Sequence, residues 1–211
     1  MMRKIFYTFV CSCLFASAET LYITDDDVPI YSPKNYQKIG VIARGISGEK
    51  IKEDDQWVVL KIQGFQKKDD EKTLYATNGK ELPAILFDKE NNGTTLEVAI
   101  PKDKVSQDQS KIWQDGRMLY ENTCSTCHST HSPKEYSALE WESIFSTMRL
   151  FSMPTDNEAK KILEYLKSHA NDGYATDESD TATEENTGVS ASEATGGNPG
   201  ANASKIPGAG Q

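Results

Sequence analysis

The residues best suited to chemistry in this chain are Cys124, Cys127 and His128, read in "NTCSTCHSTH": two cysteines two residues apart with a histidine directly after the second. That pattern fits a redox dithiol, half of a zinc site, or the covalent anchor of a haem. In a helical turn residues i and i+3 share one side, so Cys124 and Cys127 can reach one flat ligand while His128 turns its ring over the ligand's centre. The arrangement suits two thioether bonds to the vinyl groups of a haem, with His128 as the proximal iron ligand. A thioredoxin-type dithiol needs a βαβ setting, whereas the local pattern is helical. A tetrahedral zinc site needs a fourth ligand; His131 is the nearest candidate, and the other two cysteines, Cys11 and Cys13, lie in an apolar stretch at the N-terminus expected to be removed. One covalently bound haem c is the cofactor this spacing favours.

The iron then has a sixth position to fill. Met148 lies seven residues after Trp141, about two helical turns, so its thioether projects from the face expected to pack on the haem. Met153 is the second candidate, held extended in a turn by Pro154. His131 is too near His128 to reach the opposite haem face. His169 is expected in the last turn of the final helix, exposed, where a cation favours the dipole. His169 and an open position rank behind the two methionines.

The secondary structure around these groups is legible as periodicity. In the segment 107–171, Ile112, Trp113, Gly116, Leu119 and Tyr120 follow the three-four rhythm of an amphipathic helix running into the cysteine motif. Ser137 and Glu140 form a capping box, and Trp141, Ile144, Phe145 and Met148 follow on one face. After Pro154, Ala159, Ile162, Leu163 and Leu166 form a third buried stripe. The segment 19–106 instead shows short alternating runs ("TLYIT", "KIGVIARG", "QWVVLKIQGF", "KTLYAT", "PAILF", "TTLEVAI") broken by turn signals such as Asn78-Gly79. These predict a small antiparallel barrel or sandwich of five or six strands. It holds no cluster of Cys, His or paired acids at active-site spacing, so its expected role is structural or partner-binding.

The two ends differ from the middle. "MMRKIFYTFVCSCLFASAET" has a basic head at Arg3 and Lys4, an apolar run from Ile5 to Phe15, and an A-x-A site at Ala16 to Ala18, the layout of a secretory signal peptide over 1–18. Its apolar run is too short to span a bilayer. Cleavage after Ala18 removes Cys11 and Cys13 and delivers a periplasmic mature chain with no membrane span. From Asp172 to Gln211 seven acidic residues face one lysine, Lys205. That stretch has few large apolar residues and reads as a disordered acidic tail. The 211 residues carry a net charge of −9, which repels nucleic acid and anionic lipid. A sequon at Asn92 in "ENNGT", with Glu90 two positions before it, has the extended form used by some bacterial glycosylation systems.

At the motif the chain becomes familiar. "LYENTCSTCHSTHSPKEYSALEWESIFSTMRLF", continued by "EAKKILEYLKSHAND", resembles the monohaem C-terminal region of the pentahaem cytochromes c of trimethylamine N-oxide respiration, the TorC/TorY and DorC type. The shared features are C-x-x-C-H, the following His and Pro, Tyr136, the Trp141-to-Met148 spacing, and Tyr165, Leu166, His169 and Ala170. "VPIYS" and "WVVLKIQGF" also look like the small SH3-like region before the haem in those proteins. The resemblance covers about 28–172. It implies a mixed fold: a small all-β SH3-like domain at 19–106, then a small all-α c-type cytochrome domain at 107–171, with the tail at 172–211. It further implies thioether bonds at Cys124 and Cys127 and axial ligation by His128 and Met148. The implied role is electron transfer to a periplasmic molybdenum oxide reductase, with no catalysis of its own. With one C-x-x-C-H, the chain needs a membrane-bound quinol-oxidising or multihaem cytochrome as donor.

Overall fold

The computed structural model describes residues 19–176, so the leader expected at 1–18 and the tail beyond residue 176 lie outside the described residues. Ten strands come first: β1 (Thr20–Ile23), β2 (Val28–Tyr31), β3 (Lys38–Ile42), β4 (Ser47–Glu53), β5 (Trp57–Gln63), β6 (Phe65–Lys67), β7 (Asp70–Tyr75), β8 (Pro83–Phe87), β9 (Thr95–Pro101) and β10 (Val105–Ser106). They make one antiparallel sheet in the order β10-β1-β4-β5-β9-β2-β3-β8-β7-β6. Side chains alternate along a strand, so the β5–β9 register brings Val58, Leu60 and Ile62 opposite Ile100, Val98 and Leu96. They meet Ile23, Ile30, Ile42 and Ile85 in one core. Residues from strands across the whole sheet share that cluster, so the sheet coils around it. Burying each such side chain stabilises the fold by about 1.5–3 kcal/mol.

Three helices follow, each with a local reason to start where it does. α1 (Gln109–Cys124) is capped by Asp108, whose carboxylate accepts the Lys111 N–H. α2 (Ala138–Ser152) opens on the Ser137–Glu140 capping box expected from the sequence. α3 (Asp156–Ser168) opens on a second box, Thr155 with Glu158. Trp113, Tyr120, Trp141, Phe145, Ile162 and Leu166 are the large members of the helical core. α1 and α3 cross at Gly116, where an added Cβ would lie 2.9 Å from both the Lys161 carbonyl oxygen and Tyr165 Cβ. Only hydrogen fits at that crossing.

The expectation of a small all-β SH3-like domain followed by a small all-α cytochrome domain is overturned. The described residues belong to one compact unit, mostly β: a ten-stranded sheet with three helices packed on it. Leu82, from the β7–β8 connection, is buried in the helical core rather than the sheet core. Gly45, after β3, has φ +73°, and an added Cβ would fall 2.3 Å from Trp113 Cζ2, so the indole lies flush against its backbone. Arg44 Nε donates to Asp26 Oδ1 at 2.9 Å and Lys160 Nζ of α3 reaches Asp26 Oδ2 at 3.4 Å. The start of the expected tail is also tied in. Asp172 Oδ1 accepts the Ala138 N–H at 2.7 Å, and the Tyr174 hydroxyl donates to the Arg44 carbonyl at 2.8 Å.

Candidate haem-binding groove

The motif straddles a helix end. Cys124 is the last residue of α1, and Ser125 to Cys127 form a turn, where a continuing helix was expected. The Ser125 N–H still donates to the Glu121 carbonyl, and Thr126 Oγ1 donates to the Thr123 carbonyl at 3.0 Å. Those bonds satisfy helix-end carbonyls and fold the turn back over the helix. Cys124 is half-buried and Cys127 exposed, both free thiols. Burial pushes the Cys124 thiol pKa up, holding it protonated.

His128 Nδ1 lies 2.7 Å from the Ser129 carbonyl oxygen. A carbonyl only accepts, so Nδ1 carries a proton, and the neutral ring in that tautomer offers the Nε2 lone pair to a metal. The neighbouring His131 pairs through Nδ1 with Glu135 Oε2 at 2.9 Å. Its ring centroid stands 5.9 Å from that of His128.

Cys124, Cys127, His128 and Met148 all line one groove of about 350 Å³. Met148 reaches it from α2, together with Trp141, Ile144, Phe145 and Phe151, and Leu166 closes it from α3. Phe151 was not singled out from sequence, although its position three residues after Met148 puts it on the same helical face. Tyr120 lines the groove from α1, and burial raises its phenol to about 12. The walls are apolar, and Met148 and Phe151 are 42% and 74% exposed at the rim. Two thiols on one edge, an imidazole with a free Nε2, a thioether and apolar walls fit a flat apolar group attached through sulfur. They do not fit a zinc centre, since among the described residues no three His, Cys, Asp or Glu side chains are grouped to hold a metal ion.

The other expected ligands lie elsewhere. Met153 caps α2 in the left-handed conformation, φ 45° and ψ 48°, rather than extended, and is 80% exposed away from the groove. Its N–H still makes the last helical bond, to the Arg149 carbonyl, and the helix ends there because the backbone turns left-handed and Pro154 follows with no N–H to extend the ladder. His169 is buried instead of exposed, its ring 5.3 Å from Trp113 and 4.5 Å from Tyr165, with Nδ1 near the Tyr165 carbonyl. Asn92 is exposed in the loop between β8 and β9.

Among the described residues no helix is long and apolar enough to cross a membrane. No protein-family model matches the chain, and no solved structure matches it. The chain is similar to the cytochrome c-type protein TorY of Haemophilus influenzae, with 22% identity over 130 residues, covering 53% of this chain and 35% of that protein. It therefore spans about a third of the length of that relative.

Proposed function

We propose that this chain is a periplasmic c-type cytochrome with one haem c, joined through thioether bonds to Cys124 and Cys127 and ligated by His128 and Met148. The observation that carries this reading is the meeting of those four side chains on a single apolar groove. The similarity to a cytochrome c-type protein supports it from a separate direction.

When bound, the haem supplies a one-electron change of its iron. The chain's own residues set the terms. Donation from His128 Nδ1 to the Ser129 carbonyl fixes the tautomer that offers Nε2. The thioether of Met148 is a soft ligand that favours ferrous iron over ferric, raising the potential relative to two histidines. Trp141, Phe145 and Leu166 give the groove an apolar wall. The similarity to a cytochrome c-type protein supports an electron carrier over an enzyme.

The likeness to cytochromes of trimethylamine N-oxide respiration supports a periplasmic molybdenum oxide reductase as acceptor. A membrane-bound quinol-oxidising or multihaem cytochrome is the matching donor. Mixing the reduced protein with candidate periplasmic oxide reductases tests the acceptor: reoxidation only when the oxide substrate is added supports it, and persistent reduction with every reductase rejects it. The 42% exposure of Met148 favours a second reading, a haem sensor with a displaceable sixth ligand. Carbon monoxide binding to the reduced wild-type protein would support that reading.

A further inference from the structure

Two buried donors on different helices hold the backbone that follows His128. Trp141 Nε1 of α2 donates to the Pro133 carbonyl oxygen at 2.6 Å, and the Tyr120 hydroxyl of α1 donates to the His131 carbonyl oxygen at 2.9 Å. Trp141 and Tyr120 are 3% and 5% exposed, and their rings meet edge-on with centroids 6.2 Å apart. The chain from His128 to Ser132 forms neither helix nor strand. It has no regular hydrogen-bond ladder to hold its shape, and these two bonds tie it to the helices that flank the groove. The ring of Tyr136, 5.1 Å from Trp141 and 5.7 Å from His131, packs between the clamp and the loop.

Both donors are costly unless used. Burying an indole N–H or a phenol O–H without a partner is unfavourable, and an apolar side chain (phenylalanine for the phenol, a smaller or aliphatic one for part of the indole) would pack there with nothing to satisfy. What the polar atoms add is a fixed position for two loop carbonyls. Resting on the haem reading above, we propose that Tyr120 and Trp141 are positioning residues for His128: by anchoring the His131 and Pro133 carbonyls to α1 and α2 they set the direction in which His128 presents Nε2. An axial imidazole is held by its surroundings as much as by its own bond. The Tyr120 phenol, held protonated by burial, remains a donor throughout the neutral range.

The test uses the full chain matured with its haem. Tyr120→Phe and Trp141→Phe each remove one donor and keep an aromatic ring. Ile162→Val, in the helical core but outside the groove, serves as a control for lost packing. In the two donor variants the haem remains attached by mass, amide exchange at Thr130, His131 and Ser132 quickens roughly fivefold for each lost hydrogen bond, and both the low-spin electron paramagnetic resonance signal and the reduction potential shift. Ile162→Val lowers the Tm and leaves the signal and potential in place. Donor variants that lose Tm yet keep the wild-type signal and potential would overturn the proposal and reduce both residues to packing. Should a donor variant fail to fold, the wild-type protein still decides: a Trp141 indole proton protected from exchange and shifted between oxidation states supports the clamp, and one that exchanges freely overturns it. A wild-type chain without attached haem would overturn the haem reading itself, a result separate from either outcome.

Discussion

Met148 on α2 and His128 in the turn beyond α1 line the same groove, while Met153, five residues on, caps the helix outside that lining and is largely exposed. The Met148→Ala variant should therefore lose the weak sulfur-to-iron charge-transfer band of the oxidised protein and bind carbon monoxide readily when reduced. Met153→Ala should keep the band. Visible spectroscopy of the two oxidised variants separates them, and an intact band in Met148→Ala rejects Met148 as the ligand.

The seam between sheet and α3 should be sensitive to pH. Burial and then the Asp26 carboxylate raise Glu164 to about 7. Against its own burial, Asp26 is held low by the Arg44 guanidinium. Asp27, Arg44, Lys160, Lys167 and Tyr174 line the same cleft. Two carboxyl groups in a hydrogen bond need one proton between them. Because the folded protein raises the Glu164 pKa, its stabilising contribution is complete below about 4.5 and is lost as pH rises through about 7. Asp26, lowered, acts in the opposite sense and loses its contribution in acid. The Tm should fall between about pH 4.5 and pH 7 and level off above it, and Glu164→Gln, which keeps a neutral donor beside Asp26, should flatten that fall. An unchanged slope in the variant would remove Glu164 from the explanation.

The Gly116 crossing should not accept a side chain. A Cβ at 2.9 Å from Lys161 O and Tyr165 Cβ has to push α1 off α3. Alanine regains up to about 1 kcal/mol of helix propensity, which offsets part of an overpacking cost of about 1–3 kcal/mol. Gly116→Val lacks most of that offset, so in urea unfolding it should be less stable than Gly116→Ala, and both less stable than wild type. A variant as stable as wild type would mean that the helices separate freely.

The helices were the legible part of the fold. Their stripes, and the Ser137–Glu140 box, are written at a period near 3.6, because each helix buries one side. The Thr155–Glu158 box went unread although Thr and Glu stand at the right spacing. The sheet was half legible. β4 gives no apolar alternation because its buried position is Gly48, against which the side chains of Leu60 and Ile62 pack directly. β10 has only two residues. The joining of sheet and helices was not legible at all, since it rests on single contacts such as Gly45 with Trp113 and Asp26 with Arg44, which leave no periodic trace. Cys124, Cys127, His128 and Met148, proposed as haem-binding residues from their spacing, line one groove, whereas the end of α1 at Cys124 left no signal in the sequence. The burial of His169 escaped for the same reason as the seam: a helix-dipole argument sees the helix end but not the Trp113 ring beside it.

The most direct measurement is the intact mass and pyridine haemochrome spectrum of the protein purified from a periplasm competent for haem attachment. One added porphyrin mass that survives denaturation and disappears in the double variant Cys124→Ala, Cys127→Ala is the predicted result. A colourless protein of bare polypeptide mass would contradict the account.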